Sequence, residues 1–329
     1  MPKKHLKVAV LMGGLSAERE ISLVTGQAVY DNLDNKKYKP FLVEMDKDCR
    51  FYLIQKNKSK RLLNLQNKDR KIFDLFFIAL HGALGEDGAI QGMMESFGIS
   101  YTGPGVLSSA LAMNKVYAAQ IYKINNLLTP NFVEIQRNGW KQSKDEIASG
   151  IMADLGSPIV IKPIDQGSAV GVTIVKTREQ LIKAVDRTLN KFPRLMAQKF
   201  IKGKEVTCGV LEDRGESFAL PPTHILPNLG EFYDYKSKYA KGGSTHICPA
   251  DFAPEVNVKI QDLALKAHKA LGCRGMSRTD IFVADDGNLY IIETNTIPGM
   301  TSTSLLPEAA SKAGIDFSRM LDMIIKASL

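Results

Sequence analysis

Asp280-Ile281-Phe282-Val283-Ala284-Asp285-Asp286-Gly287-Asn288-Leu289-Tyr290-Ile291-Ile292-Glu293-Thr294-Asn295 reads as a β-hairpin. Two β-rich runs, Asp280 to Ala284 and Leu289 to Thr294, are joined by a turn on Asp285-Asp286-Gly287. The acidic residues stand on strands whose other members are apolar. Glu293 and Asn295 are two apart, so they face one side, and Asp280 opens the partner strand where it can meet them. Three hard oxygen donors that converge are the ligand set magnesium prefers, with phosphate oxygens and waters completing the octahedron. The same acids would also serve on an edge strand as solubility residues. Against that, the flanking Ile-Phe-Val and Tyr-Ile-Ile runs argue for burial, where an unpaired carboxylate is costly.

Working outward, Ile159 to Lys162 and Val172 to Val175 flank the loop Gly167-Ser168-Ala169-Val170-Gly171. A glycine-rich loop after a lysine lets backbone N–H groups approach phosphates while the lysine neutralises them, although such a loop is also an ordinary turn. There is no G-x-x-x-x-G-K-[ST] motif and no G-x-G-x-x-G after the first strand, which removes the P-loop and the dinucleotide fold. Phe232 to Tyr239, polar aromatic and lysine-rich, suits either a lid over a charged site or a plain surface loop.

The N-terminal part alternates strand and helix: Leu6 to Met12, a break at Gly13-Gly14, a helix capped by Ser16 to about Leu33, and a strand from Pro40 to Glu44. Phe73 to Leu80 is nearly continuous in apolar residues, as in a parallel strand covered on both faces. This is an open α/β region, and ligands gather at the carboxyl ends of its strands, here Gly13-Gly14 and His81-Gly82. From about Lys115 strands come in pairs separated by helices, giving an α+β character to the rest. A helix from about Glu255 carries apolar residues at Val256, Ile260, Leu263, Ala264, Ala267 and Leu271.

With 329 residues, 44% of them apolar, the chain can build sizeable cores without disulfides. Its four cysteines lie far apart with no C-x-x-C pair, which suggests a reducing compartment and no zinc site. No stretch is apolar enough to span a bilayer, and the N-terminal apolar run is too short for a signal segment, so a cytoplasmic protein is expected. The net charge of +8 raises the question of nucleic acid. Its densest basic segment, Lys56 to Lys71, has no aromatic residues among its charges and reads as a solvated excursion, so no nucleic-acid partner is expected. Anionic small-molecule substrates fit the same charge.

Taken together these residues resemble the D-alanine:D-alanine ligases of the ATP-grasp superfamily, over essentially the whole chain. The matching segments are GGLSAEREISL at 13–23, ALHGALGEDGAIQGMMESFGISYTG at 79–103 and SALAMNK at 109–115, then IVIKP, GSAVG, FYDYKSKY, CPA at 248–250, GMSRTDIF at 275–282 and ETNTIPGMTSTSLLP at 293–307. The resemblance implies an ATP-grasp fold with three domains: residues 1–114, on the side of the first D-alanine; 115–202, carrying the phosphate loop; and 203–329, carrying lid and metal ligands. It implies ATP, two magnesium ions with manganese as an alternative, D-alanine as both substrates, and a homodimer. The product, D-alanyl-D-alanine, would serve peptidoglycan precursor synthesis.

Residue by residue, the resemblance implies that Lys115 and Lys162 neutralise ATP phosphates under the Ser168 loop. Gln198, Lys199, Phe200 and Ile201 would meet adenine, Glu205 the ribose, and Phe282 the purine face. Asp280, Glu293 and Asn295 would ligate magnesium. Glu18 would pair with the ammonium of the first D-alanine near His81. Arg278 and the Gly299 N–H would stabilise an oxyanion, and Ser304 and Leu305 would receive the second carboxylate, with Lys238 and Tyr239 arriving on the lid. Taken singly, His81 also reads as an ordinary strand-end histidine and Glu18 as a first-turn acid.

The chain departs from the family pattern at Gln198 and Phe200, where relatives commonly have glutamate and tryptophan, and at Ala169, where they have a second serine. Three rivals remain: a D-alanine:D-lactate ligase, disfavoured by Tyr239; another ATP-grasp ligase, which leaves Glu18 and Ser304-Leu305 without purpose; and a silent nucleotide-binding protein, which leaves the complete metal set unexplained.

Overall fold

The computed structural model describes residues 5–55, 57–228, 243–301 and 303–329. Their strands gather into three sheets. The first holds β1 (Leu6–Gly13), β2 (Tyr38–Met45), β3 (Phe51–Ile54), β4 (Lys60–Leu62) and β5 (Leu75–Ile78) in the order β4-β3-β2-β1-β5. β1 runs parallel to both β2 and β5. Its residues Val8 to Leu11 are fully buried, the expected state of a central parallel strand covered on both faces. Helix α1 (Arg19–Asn32) links β1 to β2.

Two local expectations fail here. Ser16 does not cap α1, which starts only at Arg19, because the Ser16 hydroxyl donates to the His81 carbonyl at 2.6 Å and accepts from the Glu18 N–H at 3.1 Å. It ties the first strand's exit to the end of β5 instead. The basic segment 56–71 is likewise no mere excursion. It contributes β4 to the sheet edge, and its Leu63 and Leu65 are buried in the core.

Helices α2 (Ala89–Ser96), α3 (Val106–Met113) and α4 (Lys115–Ile124) lead to the second sheet. It consists of β6 (Phe132–Gln136), β7 (Ile159–Pro163), β8 (Thr173–Val175) and β9 (Arg194–Lys199), ordered β6-β9-β7-β8 and antiparallel throughout. Helices α5 (Arg137–Leu155) and α6 (Arg178–Leu189) bury the face carrying Ile135, Ile159, Ile161, Leu195 and Ala197. Strand alternation puts Val160, Lys162, Met196 and Gln198 on the opposite face. There α4 packs Val116 and Ala119 on Met196 and Ile164.

The third sheet runs β13 (Ser244–Ile247), β12 (Thr223–Pro227), β10 (Gly203–Asp213), β14 (Met276–Ala284), β15 (Leu289–Asn295), with β11 (Glu216–Ala219) also on β10. β14 begins four residues earlier than the sequence suggests, so Asp280 lies mid-strand. Helix α7 (Pro254–Ala270) supplies Ile260, Ala264 and Ala267 to the core with Val206, Cys208, Ile281 and Ile291. Helices α8 (Leu305–Lys312) and α9 (Phe317–Lys326) end the chain by returning to the first sheet. Leu306, Met320, Leu321 and Ile324 share one core with Val8, Val10, Phe76 and Phe77. Asp322 of α9 fixes this return by accepting from the Tyr38 hydroxyl at 2.7 Å and pairing with Lys37 at 3.1 Å and Lys326 at 2.7 Å.

Two stability outcomes follow from this packing. A β-carbon on Gly26 of α1 would lie 2.5 Å from the β-carbon of Met12, an atom fixed to the backbone of β1. Gly26→Ala is therefore expected to lower the unfolding free energy by about 1–3 kcal/mol, although helix propensity alone would raise it by about 1 kcal/mol. Urea unfolding gives the sign. His268 of α7 is buried, shares a hydrogen bond between Nδ1 and Ser277 Oγ at 2.8 Å, and has no partner at Nε2 among the described residues. Burial, with Lys269 adding to it, pulls its pKa down to about 4, so its stabilising neutral form is complete above about 6.5 and is lost as pH falls toward 4. His268→Leu should flatten the decline in stability across that window; an unchanged slope would show that other groups cause it.

Candidate active site

Residues of one parity on β10 and β14 share a sheet face: Glu205 opposes Phe282, Thr207 opposes Asp280 and Gly209 opposes Arg278. Across β15, Asp280 opposes Glu293 and Arg278 opposes Asn295, and the register shifts just after Asp280. One face thus carries every C-terminal acid and amide singled out in the hairpin. Their charges are met locally. Arg278 spans Asp280 with Nε to Oδ1 at 3.0 Å and a second nitrogen to Oδ2 at 3.2 Å, and Thr207 donates to Asp280 Oδ1 at 2.6 Å. Glu293 pairs with Lys115 Nζ at 3.1 Å.

That last contact bridges the second and third sheets, since Lys115 begins α4. Its Nζ also donates to the Gln166 carbonyl, in the glycine-rich loop after β7, at 2.8 Å. Lys162, buried on the inner face of β7, sits close enough to feel both neighbours. Burial pulls its pKa down to about 8; the Glu293 carboxylate opposes the shift and the Lys115 ammonium adds to it. A lysine held this reluctantly in its charged form gains most from an arriving anion.

The loop after β7 is sharply curled, with Ser168 at φ 52° and Ala169 at φ 56°, both left-handed and neither glycine. Such strain persists where surroundings over-determine it. Here the Ser168 hydroxyl is held by Glu18 Oε1, reaching from the first sheet's side. Gly82, at a φ of +70°, is strained for any larger residue, and a β-carbon there would stand 2.6 Å from Glu18 Oε2 and displace that carboxylate.

Around Glu18 lie two further groups. His81 is buried, with Nε2 2.9 Å from the Thr25 hydroxyl. Burial depresses its pKa, Glu18 and the Ile297 backbone oppose that shift, and Arg278 reinforces it. Glu86, which the sequence reading overlooks, accepts from the Gly82 N–H at 2.7 Å. Burial and then the Glu18 charge push its pKa up to about 8, against the backbone N–H groups and Arg278. An acid lodged among Gly82, Gly85 and Gly88 just past an apolar strand is the signal that would have found it.

At the far end, Ser304 stands at the N-cap position of α8 without a side-chain cap hydrogen bond, its hydroxyl accepting instead from Thr301 N at 3.0 Å. A β-carbon on Gly299 would meet Ser304 Oγ at 2.7 Å, so a larger residue there would crowd that hydroxyl. Leu305 is the first residue of α8. Gln198, Lys199, Phe200 and Ile201 form the crossing from β9 to β10. Gln198 is 3% exposed and, among the described residues, its Nε2 has no hydrogen-bond partner. A buried amide nitrogen left so costs about 1–3 kcal/mol. Lys238 and Tyr239 lie outside the described residues.

Asp280, Glu293 and Asn295 offer hard oxygen donors on one face, next to Lys115 and Lys162, and this chemistry fits a magnesium–phosphate unit. Among the described residues no three His, Cys, Asp or Glu side chains cluster as a metal cage. Two carboxylates and an amide suit an ion that keeps waters and substrate oxygens in its shell.

A family model described as the D-Ala-D-Ala ligase N-terminus matches residues 7–104, and one described as its C-terminus matches residues 121–326. The chain is 42% identical to the D-alanine–D-alanine ligase of Syntrophobacter fumaroxidans, over 100% of this chain and 99% of that one. It is 40% identical to the enzyme of the same name from Geobacter sulfurreducens, over 98% and 94%. Among solved structures, the VanG D-Ala:D-Ser ligase of Enterococcus faecalis aligns with a TM-score of 0.87 at 31% identity, covering 99% and 100% of the two chains. The Bacillus anthracis D-alanine–D-alanine ligase complexed with ATP aligns at 0.77 and 31%, covering 98% and 97%. The fold is ATP-grasp with an open α/β N-terminal part. Matched along nearly all of its length by the family models and by these relatives, the chain belongs to the D-alanine:D-alanine ligase family.

Proposed function

We propose that this protein joins two D-alanine molecules to D-alanyl-D-alanine, with ATP converted to ADP and phosphate, in the supply of peptidoglycan precursors in the cytoplasm. The observation that carries the reading is the bridge from Lys115 to Glu293, with buried Lys162 beside it. It collects cations and hard oxygen donors at one point between two sheets.

A carboxylate is a poor electrophile, and phosphoryl transfer to it needs positioning and charge neutralisation more than covalent help. Lys115 and Lys162 neutralise the ATP phosphates as the Ser168 loop folds over them. Backbone of Gln198 to Ile201 meets adenine, with Glu205 at the ribose and Phe282 on the purine. Asp280, Glu293 and Asn295 would hold two magnesium ions, or manganese, which supply charge neutralisation on the phosphates.

Glu18 binds the ammonium of the first D-alanine, with His81 beside it in its neutral form. The first carboxylate takes the phosphoryl group, and the amine of the second D-alanine attacks the resulting acyl phosphate. Arg278 and the Gly299 N–H stabilise the tetrahedral oxyanion before phosphate leaves. Ser304 and the Leu305 backbone at the start of α8 receive the second carboxylate, where a helix N-terminus favours an anion. Lys238 and Tyr239 close the lid and keep water from the acyl phosphate. Residues 1–114, 115–202 and 203–329 act as three domains around this centre, and the chain works as a homodimer.

The test is ADP release with magnesium and D-alanine, L-alanine, D-alanine plus D-lactate, or D-alanine plus D-serine, with the product identified by mass. D-Alanine alone should give the dipeptide; no dependence on D-alanine would sink the reading. Glu293→Gln, whose amide oxygen still reaches toward Lys115, should abolish ADP release while circular dichroism stays near wild type. Near-normal turnover in that variant would remove the metal-ligand assignment.

A further inference from the structure

Gln198 carries a buried side-chain nitrogen that nothing among the described residues satisfies. It lies on the middle strand pair of the second sheet, opposite Val160 of β7 and Phe132 of β6, and on the same face as Lys162. That face turns away from the α5–α6 core, which takes Leu195 and Ala197 from the same strand. The residue is 3% exposed, and its Nε2 has no partner among the described residues. Buried polar groups are normally paired, so a donor left over beside the phosphate lysine points to a ligand atom as its partner.

The chemistry of that partner follows from the amide. A glutamine side chain presents both a donor nitrogen and an acceptor oxygen at one position. A carboxylate in the same place only accepts, and so favours a 6-amino purine and repels a 6-oxo one. We infer that Gln198 relaxes base selection at this site, so that 6-oxopurine nucleoside triphosphates serve as phosphoryl donors alongside ATP. The inference rests on the nucleotide site assigned above. It deepens that assignment by naming the residue that reads the purine's 6-position. Turning the amide over serves either base, and the hinge backbone keeps a residual preference for adenine.

The experiment measures kcat/KM for ATP, ITP and GTP with D-alanine in the wild type and in Gln198→Glu, and in parallel the rise in Tm with ADP and IDP. In the wild type ITP should fall within tenfold of ATP, and Gln198→Glu should widen the ATP-to-ITP ratio at least thirtyfold. Gln198→Met, which keeps the volume and lacks the amide, covers the case in which a buried glutamate prevents folding. It should also widen the ratio. A wild-type ratio above 100, or a ratio that both folded variants leave within threefold of wild type, overturns the inference. If no dipeptide forms with ATP, the functional reading fails instead, and the ADP and IDP shifts still decide base selection.

Discussion

A carboxylate on the inner face of a sheet must have its charge answered, and the architecture of this chain turns on how Asp280 and Glu293 are answered. Asp280 is satisfied within its own sheet, by Arg278 two residues away and Thr207 on the neighbouring strand. Glu293 is satisfied from outside it, by Lys115 at the start of α4. That difference sets the geometry of the cleft. The Lys115 contact fixes α4 against the third sheet, and Val116 and Ala119 on the same helix fix it against the second. A hydroxyl chain from Tyr122 of α4 to Thr294, at 2.8 Å, and on to Thr279 at 3.0 Å, secures the far side of the same strands. The helix is thus a spacer between the two sheets, held at three kinds of contact.

The first sheet enters through smaller groups. Ser16 reaches the His81 carbonyl, Glu18 takes the Ser168 hydroxyl, and Glu86 with His81 meets the Ile297 backbone. Each contact joins loops at strand ends, so the region where the parallel strands stop is also where all three sheets meet. Charged groups of both signs collect there. Burial pushes each toward its neutral form, with His81 depressed, Glu86 raised to about 8 and Lys162 lowered to about 8.

The hairpin of 280–295 was legible because its pattern is local. Alternation fixes which side chains share a face, and Gly287 fixes the turn. The continuous apolar run before His81 gave the parallel strand for the same reason. What the sequence could not show is set by partners far along the chain. The start of α1 depended on Ser16 finding the His81 carbonyl 65 positions away. The burial of Leu63 and Leu65 depended on a sheet edge that a charged, asparagine-rich segment does not advertise. Glu86 was hidden inside a recognised motif, because its special state comes from enclosure and from Glu18, neither of which leaves a mark on spacing.

The return of α8 and α9 to the first sheet bears on how the chain is made. Part of the apolar cover over the sheet of β1 and β5 is Leu306, Met320, Leu321 and Ile324, more than two hundred residues downstream of β5. Asp322, which locks Tyr38 and Lys37, lies among them. A growing chain that has made β1 and β5 therefore holds a partly uncovered hydrophobic sheet until those distant helices follow. The core of the first sheet is complete only when both widely separated segments are present.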